Sequence, residues 1–360
     1  MKKVKILGLV SCLMLFVIAS CDDSGKFALT IDQMEETRVQ GTTMGALYSI
    51  QVVGNFYGGE QTLTELADTT FNKIWKEIST FDSNAELALF NDYKSTEPFE
   101  ISTGLARIVS EAIYKCKMLD GALDITVGPI VNLWGFGPEH PMNIVPPEKT
   151  IEATLANIGL DKIEFKIQNN KNYLIKKNPN VKLDLANVGE GLCVDSIAFE
   201  LLKRGYKNFM VTVDSVSKSF GVNSDGGKWK IGINDPNSVT PVLFSSICSF
   251  DKAVATSGAY SNFFRDKVTG NSYSHVIDPK TGHPITHSTL SVTVVSETAF
   301  DADALATGLL VMGADKALEW AEKNNYAIAT IEYKNGKSFM RNTTAFEPHL
   351  ICGARNEDEF

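Results

Sequence analysis

The 360-residue chain lacks the sequence signals of several common protein classes. It contains no P-loop and no GxGxxG turn, so nucleotide binding through either glycine-rich loop has no support. Acidic residues outnumber basic ones and the formal net charge is −9, which argues against a general nucleic-acid-binding protein. The six cysteines form no CxxC pair and show no metal-ligand spacing, and this favours buried free thiols for most of those in the body of the chain.

Beyond the N-terminus, no stretch reaches the roughly 18 apolar residues that a membrane helix needs. The N-terminus has the layout of a secretory signal, with a basic start, an apolar run over 6–18 and small residues before Cys21. A cysteine in this place resembles the lipobox of bacterial lipoproteins. We therefore expect a lipoprotein signal peptide over 1–20, a lipid anchor on Cys21 and a location in the bacterial cell envelope, facing the periplasm. A plain secretory signal and an uncleaved anchor are the alternatives.

The rest of the chain divides into a polar tether over 21–36, a body over 37–350 and a polar tail over 351–360. Apolar periodicity in the body predicts helices at 61–80, 102–120, 190–204 and 301–312. It also predicts several strands, among them 45–54, 163–168, 181–186 and 289–296. Strand hairpins mixed with helices indicate an α+β fold, a single large domain with mixed, largely antiparallel sheets and flanking helices.

The stretch FDADALATG (300–308) places two polar side chains on one face of an apolar helix. Asp303 and Thr307 stand at i and i+4 and therefore share that face. A carboxylate and a hydroxyl that face the same way suit a hard cation such as Mg²⁺. The alternative is an N-terminal cap, in which Asp301 or Asp303 accepts hydrogen bonds from free backbone N–H groups. The residues alone leave both interpretations open.

Four further segments combine glycine with chemically active residues. GTTMGALYSI (41–50) is either a ligand-contacting turn or a simple turn into a strand. In DGALDITVGPIVNLWGFG (120–137), glycines allow close approach of backbone to a ligand, and the aromatic loop either covers a ring system or packs around Trp134. VKLDLANVGEGLCVD (181–195) opens a helix whose N-terminus favours an anion, although Glu190 suits such a site only if a cation intervenes. The fourth segment, ATSGAYSNFF with SHVIDPKTGHPI (255–264 and 274–285), contains His275, which is either a general base or a structural histidine.

Taken together and in order, these segments resemble the FAD:protein FMN transferase family, the ApbE-like flavin transferases. The resemblance runs from about Gly41 to Met340 and rests on MGxxY, GALDITVGPIVNLWGFG, DLANVGEG, TSGxY, HVIDPKTGHP and DADALATG. It implies the ApbE or T-fold-like architecture and a reaction that uses Mg²⁺ to cleave FAD. FMN is linked to a Ser or Thr hydroxyl of a target protein and AMP leaves. Members are often periplasmic lipoproteins, which agrees with Cys21.

The resemblance also implies a role for each matching residue. The side chains of Asp303 and Thr307 and the backbone carbonyl of Gly189 would bind Mg²⁺. His275 would take the proton from the incoming hydroxyl. The flavin and adenosine of FAD would contact eight residues: Met44, Phe81, Ala122, Leu123, Asp124, Ala186, Leu192 and Ile277. The implied partners are FAD, an extracytoplasmic target protein and, through the lipid on Cys21, a membrane.

The chain departs from the family pattern at three places. Phe81 stands where tyrosine is frequent, and Ala46 stands where threonine is frequent. Asp214 and Ser215 replace a usual glycine pair, and the aspartate adds bulk and negative charge near a diphosphate. Two alternatives to transfer are therefore open, an Mg²⁺-dependent FAD pyrophosphatase that gives FMN and AMP, and a non-catalytic tethered FAD-binding lipoprotein. Retention of a base and a metal pair favours an enzyme.

Overall fold

The computed structural model describes residues 34–139, 144–236, 238, 242–249, 251–260, 262–267 and 269–351. The predicted signal peptide over 1–20, the lipidation at Cys21 and nearly all of the predicted tether and tail lie outside these residues. None of the helices formed by the described residues is long and apolar enough to cross a membrane.

Eight α-helices occur in the described residues, and four correspond to the helices that periodicity predicted above. They are α1 (Gly59–Ile78), α2 (Glu86–Asp92), α3 (Thr103–Met118), α4 (Gly128–Leu133), α5 (Glu148–Leu155), α6 (Ala186–Lys203), α7 (Ala299–Met312) and α8 (Ala314–Lys323). Helix α3 begins as its sequence indicates, because the Ser102 side chain accepts a hydrogen bond from the Leu105 N–H at 3.1 Å.

Strands of the described residues number fifteen. They are β1 (Glu36–Thr43), β2 (Ala46–Val53), β3 (Phe99–Ile101), β4 (Ile163–Gln168), β5 (Lys171–Lys176), β6 (Phe209–Val213), β7 (Val216–Phe220), β8 (Trp229–Asn234), β9 (Leu243–Ser249), β10 (Ala253–Gly258), β11 (Phe263–Arg265), β12 (Ser272–Ser274), β13 (Thr289–Ser296), β14 (Ala327–Lys334) and β15 (Lys337–Asn342).

Eight of the strands form one sheet in the order β1-β2-β6-β7-β10-β13-β14-β15. Every neighbouring pair in this sheet is antiparallel. Smaller antiparallel sheets are formed by β3-β5-β4, β8-β9 and β11-β12. The prediction of an α+β fold with antiparallel sheets and flanking helices is confirmed.

Helices α6 and α7 pack against each other and against the large sheet. Helix α6 packs on α1, β6 and β7, and α7 packs on α6, β10 and β13. Helix α7 is buried on almost every side, as expected for a helix that is apolar all round. Polar side chains on α7 are therefore held on a rigid element at the centre of the fold.

The predicted strand over 181–186 is wrong. Residues 181–185 form no strand, and α6 already begins at Ala186. The Asn91 side chain makes the hydrogen bonds that a strand neighbour would make, because its Nδ2 donates to the Leu183 carbonyl at 2.8 Å and its Oδ1 accepts from the Leu183 N–H at 2.7 Å. The Asp184 N–H donates to the Ile125 carbonyl at 2.8 Å. These partners come from distant parts of the chain, so local sequence did not reveal them.

Candidate active site

A cavity of about 600 Å³ opens where helix α7 meets several other parts of the fold. Its walls come from the loop after α1, the loop between α3 and α4, the first turns of α6, the β6–β7 turn, the end of β10 and the loop after β12. Asp303 and Thr307 of helix α7 also line it. This volume lies within the usual range for sites that bind small molecules and cofactors.

Nine of the twelve residues that the resemblance assigned to the site within the described part of the chain line this cavity. They are Phe81, Ala122, Leu123, Asp124, Ala186, His275, Ile277, Asp303 and Thr307. They come from sequence positions more than 200 residues apart, and the fold brings them to one place.

The other three predicted residues do not line this cavity. Met44 lies in the β1–β2 turn and lines a separate depression of about 320 Å³ together with Asp68, Phe71 and Trp75. Leu192 is buried in the main core, and Gly189 is buried in the first turns of α6. Contacts of Met44 and Leu192 with FAD, and of the Gly189 carbonyl with a metal, stay predictions.

Helix α7 begins in a way that separates the roles of its two aspartates. Thr298 is the N-cap, and its hydroxyl accepts a hydrogen bond from the Asp301 N–H at 3.1 Å. The Asp301 carboxylate pairs with Lys115 of α3 at 2.5 Å between Oδ1 and Nζ. Neither Asp301 nor Asp303 caps the helix, so the cap interpretation of this stretch is wrong.

Asp303 and Thr307 present their oxygens to the cavity from one face of α7. The Asp303 Oδ2 accepts a hydrogen bond from the Gly191 N–H at 2.9 Å, and the Thr307 Oγ1 lies 3.0 Å from the Ser257 Oγ. Helices α6 and α7 approach closely at Gly191, because a Cβ there would lie 2.4 Å from the Ala299 carbonyl oxygen. Only glycine permits this contact, which brings the Gly191 N–H within reach of the carboxylate.

Five carboxylates line the cavity, and no Lys or Arg is among its lining residues within the described chain. They belong to Asp124, Asp184, Glu190, Asp214 and Asp303. Burial, followed by the charge of Asp214, raises the pKa of Glu190 to about 7. Burial, followed by the charges of Glu190 and then Asp214, raises the pKa of Asp303 well above its usual value, while the Gly191 N–H opposes this.

This charge distribution suits a cation. No group of three or more His, Cys, Asp or Glu side chains within the described ranges is arranged to hold a metal by itself. The predicted donor set needs only one carboxylate, because a hydroxyl, a carbonyl and solvent or substrate oxygens complete the coordination that Mg²⁺ prefers. The Asn187 Oδ1 is a further oxygen on this wall that is buried without a hydrogen-bond partner among the described residues. The residues present therefore fit a divalent cation.

His275 follows β12 and lies half-buried on the cavity wall. Its Nδ1 lies 2.9 Å from the Asn262 carbonyl oxygen, and its backbone N–H donates to the same oxygen at 3.0 Å. Because a carbonyl only accepts, Nδ1 carries the proton of the neutral ring and Nε2 keeps a free lone pair. Burial lowers the pKa of His275, and the bond to Asn262 partly offsets this. The ring is thus neutral near pH 7 and able to accept a proton.

The loop over 120–137 packs around Trp134 and also contributes to the cavity wall, and its contact with a ring system stays a prediction. Trp134 is buried, donates from Nε1 to the Gly282 carbonyl at 2.8 Å and packs beside Tyr273. The preceding residues Ala122–Asp124 line the cavity instead. The Asp124 Oδ1 accepts hydrogen bonds from the Thr126 N–H at 2.8 Å and hydroxyl at 2.6 Å, which fixes the carboxylate on the wall.

Several lining residues were not assigned a role from the sequence. They are Thr80, Val127, Val131, Phe136, Gly137, Asp184, Asn187, Asn234, Thr256, Ser257, Gly258, Tyr260, Asn262, Val276, Pro279 and Val311. The TSGAY segment was noted as unusual, but nothing in it indicated that Ser257 would contact Thr307. That contact joins β10 to α7 across 50 residues of sequence.

Comparison with known proteins agrees with this arrangement. The family model described as "ApbE family" matches residues 44–331. The "FAD:protein FMN transferase" of Vibrio cholerae is 34% identical over 343 residues, which cover 95% of this chain and 98% of the relative. The protein of the same name from Escherichia coli K12 is 35% identical over 332 residues, which cover 92% of this chain and 93% of the relative.

Solved structures give the same result. The "Flavin Transferase ApbE from Vibrio cholerae" has a TM-score of 0.79 and 36% identity, covering 88% of this chain and 100% of the other. The apo form of a Pseudomonas stutzeri flavinyl transferase ApbE has a TM-score of 0.79 and 28% identity, covering 90% and 100%. With the family model and full-length relatives above 30% identity in agreement, this chain belongs to the ApbE family.

Proposed function

We propose that this protein is an FAD:protein FMN transferase, which moves FMN from FAD to a Ser or Thr hydroxyl of a target protein and releases AMP. The observation that carries the proposal is the cavity, whose lining includes both a neutral histidine and the Asp303–Thr307 pair. A base and an electrophile-activating site in one cavity are what phosphoryl transfer to a hydroxyl requires.

The reaction balances with the residues present. The acceptor oxygen attacks the FMN phosphorus, and the bond from that phosphorus to the bridging oxygen of the diphosphate breaks. AMP departs with the bridging oxygen, and the acceptor proton passes to His275 Nε2. The product is a phosphoester between FMN and the acceptor side chain.

Mg²⁺ is the proposed cofactor, with Asp303, Thr307 and the Gly189 carbonyl as its protein ligands. When bound, it would offset the charge of the diphosphate and polarise the attacked phosphorus. The chain's own contribution is rigidity, because α7 is buried and the Gly191 N–H fixes the Asp303 carboxylate. The fixed geometry keeps the reorganisation cost low at the moment of reaction.

The apolar part of the cavity suits the rings of FAD. Leu123 and Ile277 are buried at the wall, and the Phe81 side chain is 65% exposed at the rim. An exposed aromatic ring at the rim offers a stacking surface for a flat heterocycle. We assign Phe81, Ala122, Leu123, Asp124, Ala186 and Ile277 to FAD binding on this basis.

The proposal includes the location of the protein. The basic start, the apolar run and the small residues before Cys21 support a lipid anchor on that cysteine. The target protein would then be extracytoplasmic, because the body of the chain lies on the same side of the membrane as its acceptor.

The experiment combines purified protein, FAD, MgCl₂ and a protein that carries a flavinylation acceptor site. Covalent flavin on the acceptor is followed by in-gel fluorescence and intact mass. We expect labelling that EDTA abolishes and that His275→Asn reduces strongly. His283→Asn is the matched control, because His283 lies outside the cavity lining and pairs with Glu148 at 3.2 Å. Absence of label from the wild type, or equal loss in both histidine variants, would contradict the proposal.

A further inference from the structure

The tip of the β6–β7 hairpin brings a carboxylate to the cavity wall. Asp214 and Ser215 form the two-residue turn between these strands, and both line the cavity. Asp214 has φ 47°, in the left-handed region that aspartate tolerates better than most residues other than glycine. The chain thus keeps the turn that a glycine would adopt while adding a negative charge to it.

Three elements hold this tip in place. The Asp214 N–H donates to the Leu47 carbonyl of β2 at 2.8 Å, and the Thr256 N–H of β10 donates to the Ser215 carbonyl at 3.2 Å. The Ser215 hydroxyl donates to the Glu190 Oε2 of α6 at 3.2 Å. Because the backbone on both sides of the turn is anchored, the turn that carries Asp214 is fixed at the cavity wall.

Asp214 lines the same cavity as Glu190 of α6 and Asp303 of α7. No ion pair joins Asp214 to a Lys or Arg within the part of the chain that is described. Among the described residues, the lining therefore offers the diphosphate five carboxylates and no Lys or Arg.

We propose that Asp214 makes FAD binding conditional on a divalent cation, so that the cavity takes the cation complex of the diphosphate and rejects the free diphosphate. The inference rests on the proposed function, since it concerns the same substrate in the same cavity. Its physical basis is like-charge repulsion, which a bound cation cancels and which no Lys or Arg among the described lining residues offsets. Asp214 is in this view a specificity-determining residue and takes no part in the chemical step.

The experiment measures FAD binding by equilibrium dialysis in MgCl₂ and in EDTA, with the integrity of FAD checked by chromatography. The proteins are the wild type, Asp214→Asn and Asp214→Gly. Asparagine removes the charge and keeps the size, whereas glycine removes both, and each tolerates a positive φ. Glu319→Gln on α8 is the control, because it removes an exposed charge far from the cavity lining.

For the wild type we expect the dissociation constant for FAD to be at least tenfold larger in EDTA than in MgCl₂. In both Asp214 variants we expect the ratio of the dissociation constant in EDTA to that in MgCl₂ to shrink about tenfold, mainly because FAD binds more tightly in EDTA. A change of about tenfold in the dissociation constant is the effect expected when one unit charge acts on another about 10 Å away through an effective dielectric constant of about 20. Raising the salt to about 1 M should shrink the wild-type ratio as well, because screening weakens charge effects and leaves steric effects unchanged.

Three results would overturn the inference. The Asp214 variants could keep the wild-type ratio, the glycine variant alone could change it, or Glu319→Gln could change it equally. The second result would assign the effect to bulk instead of charge. A wild type that binds FAD neither in MgCl₂ nor in EDTA would contradict the proposed function itself. This result differs from the three above, so failure of the inference and failure of the proposed function can be told apart.

Discussion

At the scale of single residues, the surroundings of His275 suit the proton transfer proposed for it. The Asn262 carbonyl holds Nδ1–H, and burial disfavours the imidazolium form. The residue type and the neighbouring turn made this histidine a candidate from the sequence. The carbonyl that sets its tautomer lies 13 residues earlier in the chain and became visible only in the structure.

The pH dependence of the reaction tests this assignment. A base is active when neutral, so kcat/KM should fall as pH falls through the pKa of His275. Because burial lowers that pKa, the acid limb should lie below the ordinary histidine value of about 6.5. His275→Asn should lower kcat by about 10²- to 10⁴-fold and remove that limb. An unchanged acid limb in the variant would assign the titration to another group.

We predict that the Asp303 carboxylate destabilises the folded protein when no metal is bound. Asp303 is only 7% exposed, and burial, followed by the charges of Glu190 and then Asp214, makes its ionised form unfavourable in the folded protein. Asp303→Asn keeps an oxygen for the Gly191 N–H and removes one charge. We expect the metal-free variant to melt at the same temperature as the wild type or higher, and to lose the rise in Tm that MgCl₂ with FAD gives the wild type. A metal-free variant that melts several degrees lower would contradict this account.

At the scale of elements, the contact between α6 and α7 aligns the cavity. Asp195 of α6 accepts a hydrogen bond from the Phe300 N–H at the start of α7 at 2.9 Å, and its other oxygen pairs with Lys218 of β7 at 2.7 Å. One carboxylate thus connects two helices and the large sheet. Its position two turns before the end of α6 keeps it outside the lining of the cavity.

Removal of this connection should destabilise the fold. Asp195→Ala leaves a partly buried lysine and a backbone N–H without their partner, and we expect a loss of about 2 kcal/mol or more in the free energy of unfolding. Glu200→Ala on the same helix is the control, because its contacts with Lys203 and Arg204 lie at the surface and should contribute less than about 0.5 kcal/mol. Urea unfolding of both variants measures the difference. Equal losses would show that the connection has no special role.

Element prediction from the sequence succeeded where the signals were local. Helix α3 has a serine cap and regular apolar spacing, and α7 has an apolar run that ends at Gly313. Prediction missed the short helix α2. It also assigned a strand to 181–186, where the side chain of Asn91 makes hydrogen bonds to the backbone from 92 residues away. Such a partner belongs to the tertiary fold and leaves no periodic pattern.

At the scale of the whole molecule, one antiparallel sheet with two central helices brings distant motifs to one cavity. The resemblance to a family identified nine of its lining residues without geometry, since the motifs stand in order along the chain. The resemblance did not reveal the electrostatic environment of the cavity. The absence of Lys and Arg from the described part of the lining, and the anchoring of the Asp214–Ser215 turn by three elements, depend on contacts between strands and helices that spacing does not reveal.

The proposed anchor is also a property of the whole molecule. Cys21→Ser should move the protein from the membrane fraction to the soluble fraction of the cell envelope, because the lipid attaches to the cysteine thiol. Cys12→Ser is the matched control, since Cys12 lies within the apolar run and is removed with the predicted signal peptide. Fractionation followed by immunoblotting measures both. Membrane retention of the Cys21 variant would exclude the lipid as the sole anchor.

The central claim is that the cavity joins cleavage of FAD to transfer of FMN. The most direct test counts AMP released and flavin bound covalently to the acceptor in the same reaction, at early times and with Mg²⁺ present. The account predicts one AMP for each flavinylated acceptor, with both products lost together in Asp303→Asn. AMP and free FMN without labelled acceptor would contradict it and establish a pyrophosphatase, and bound FAD without AMP would leave only a flavin-binding protein.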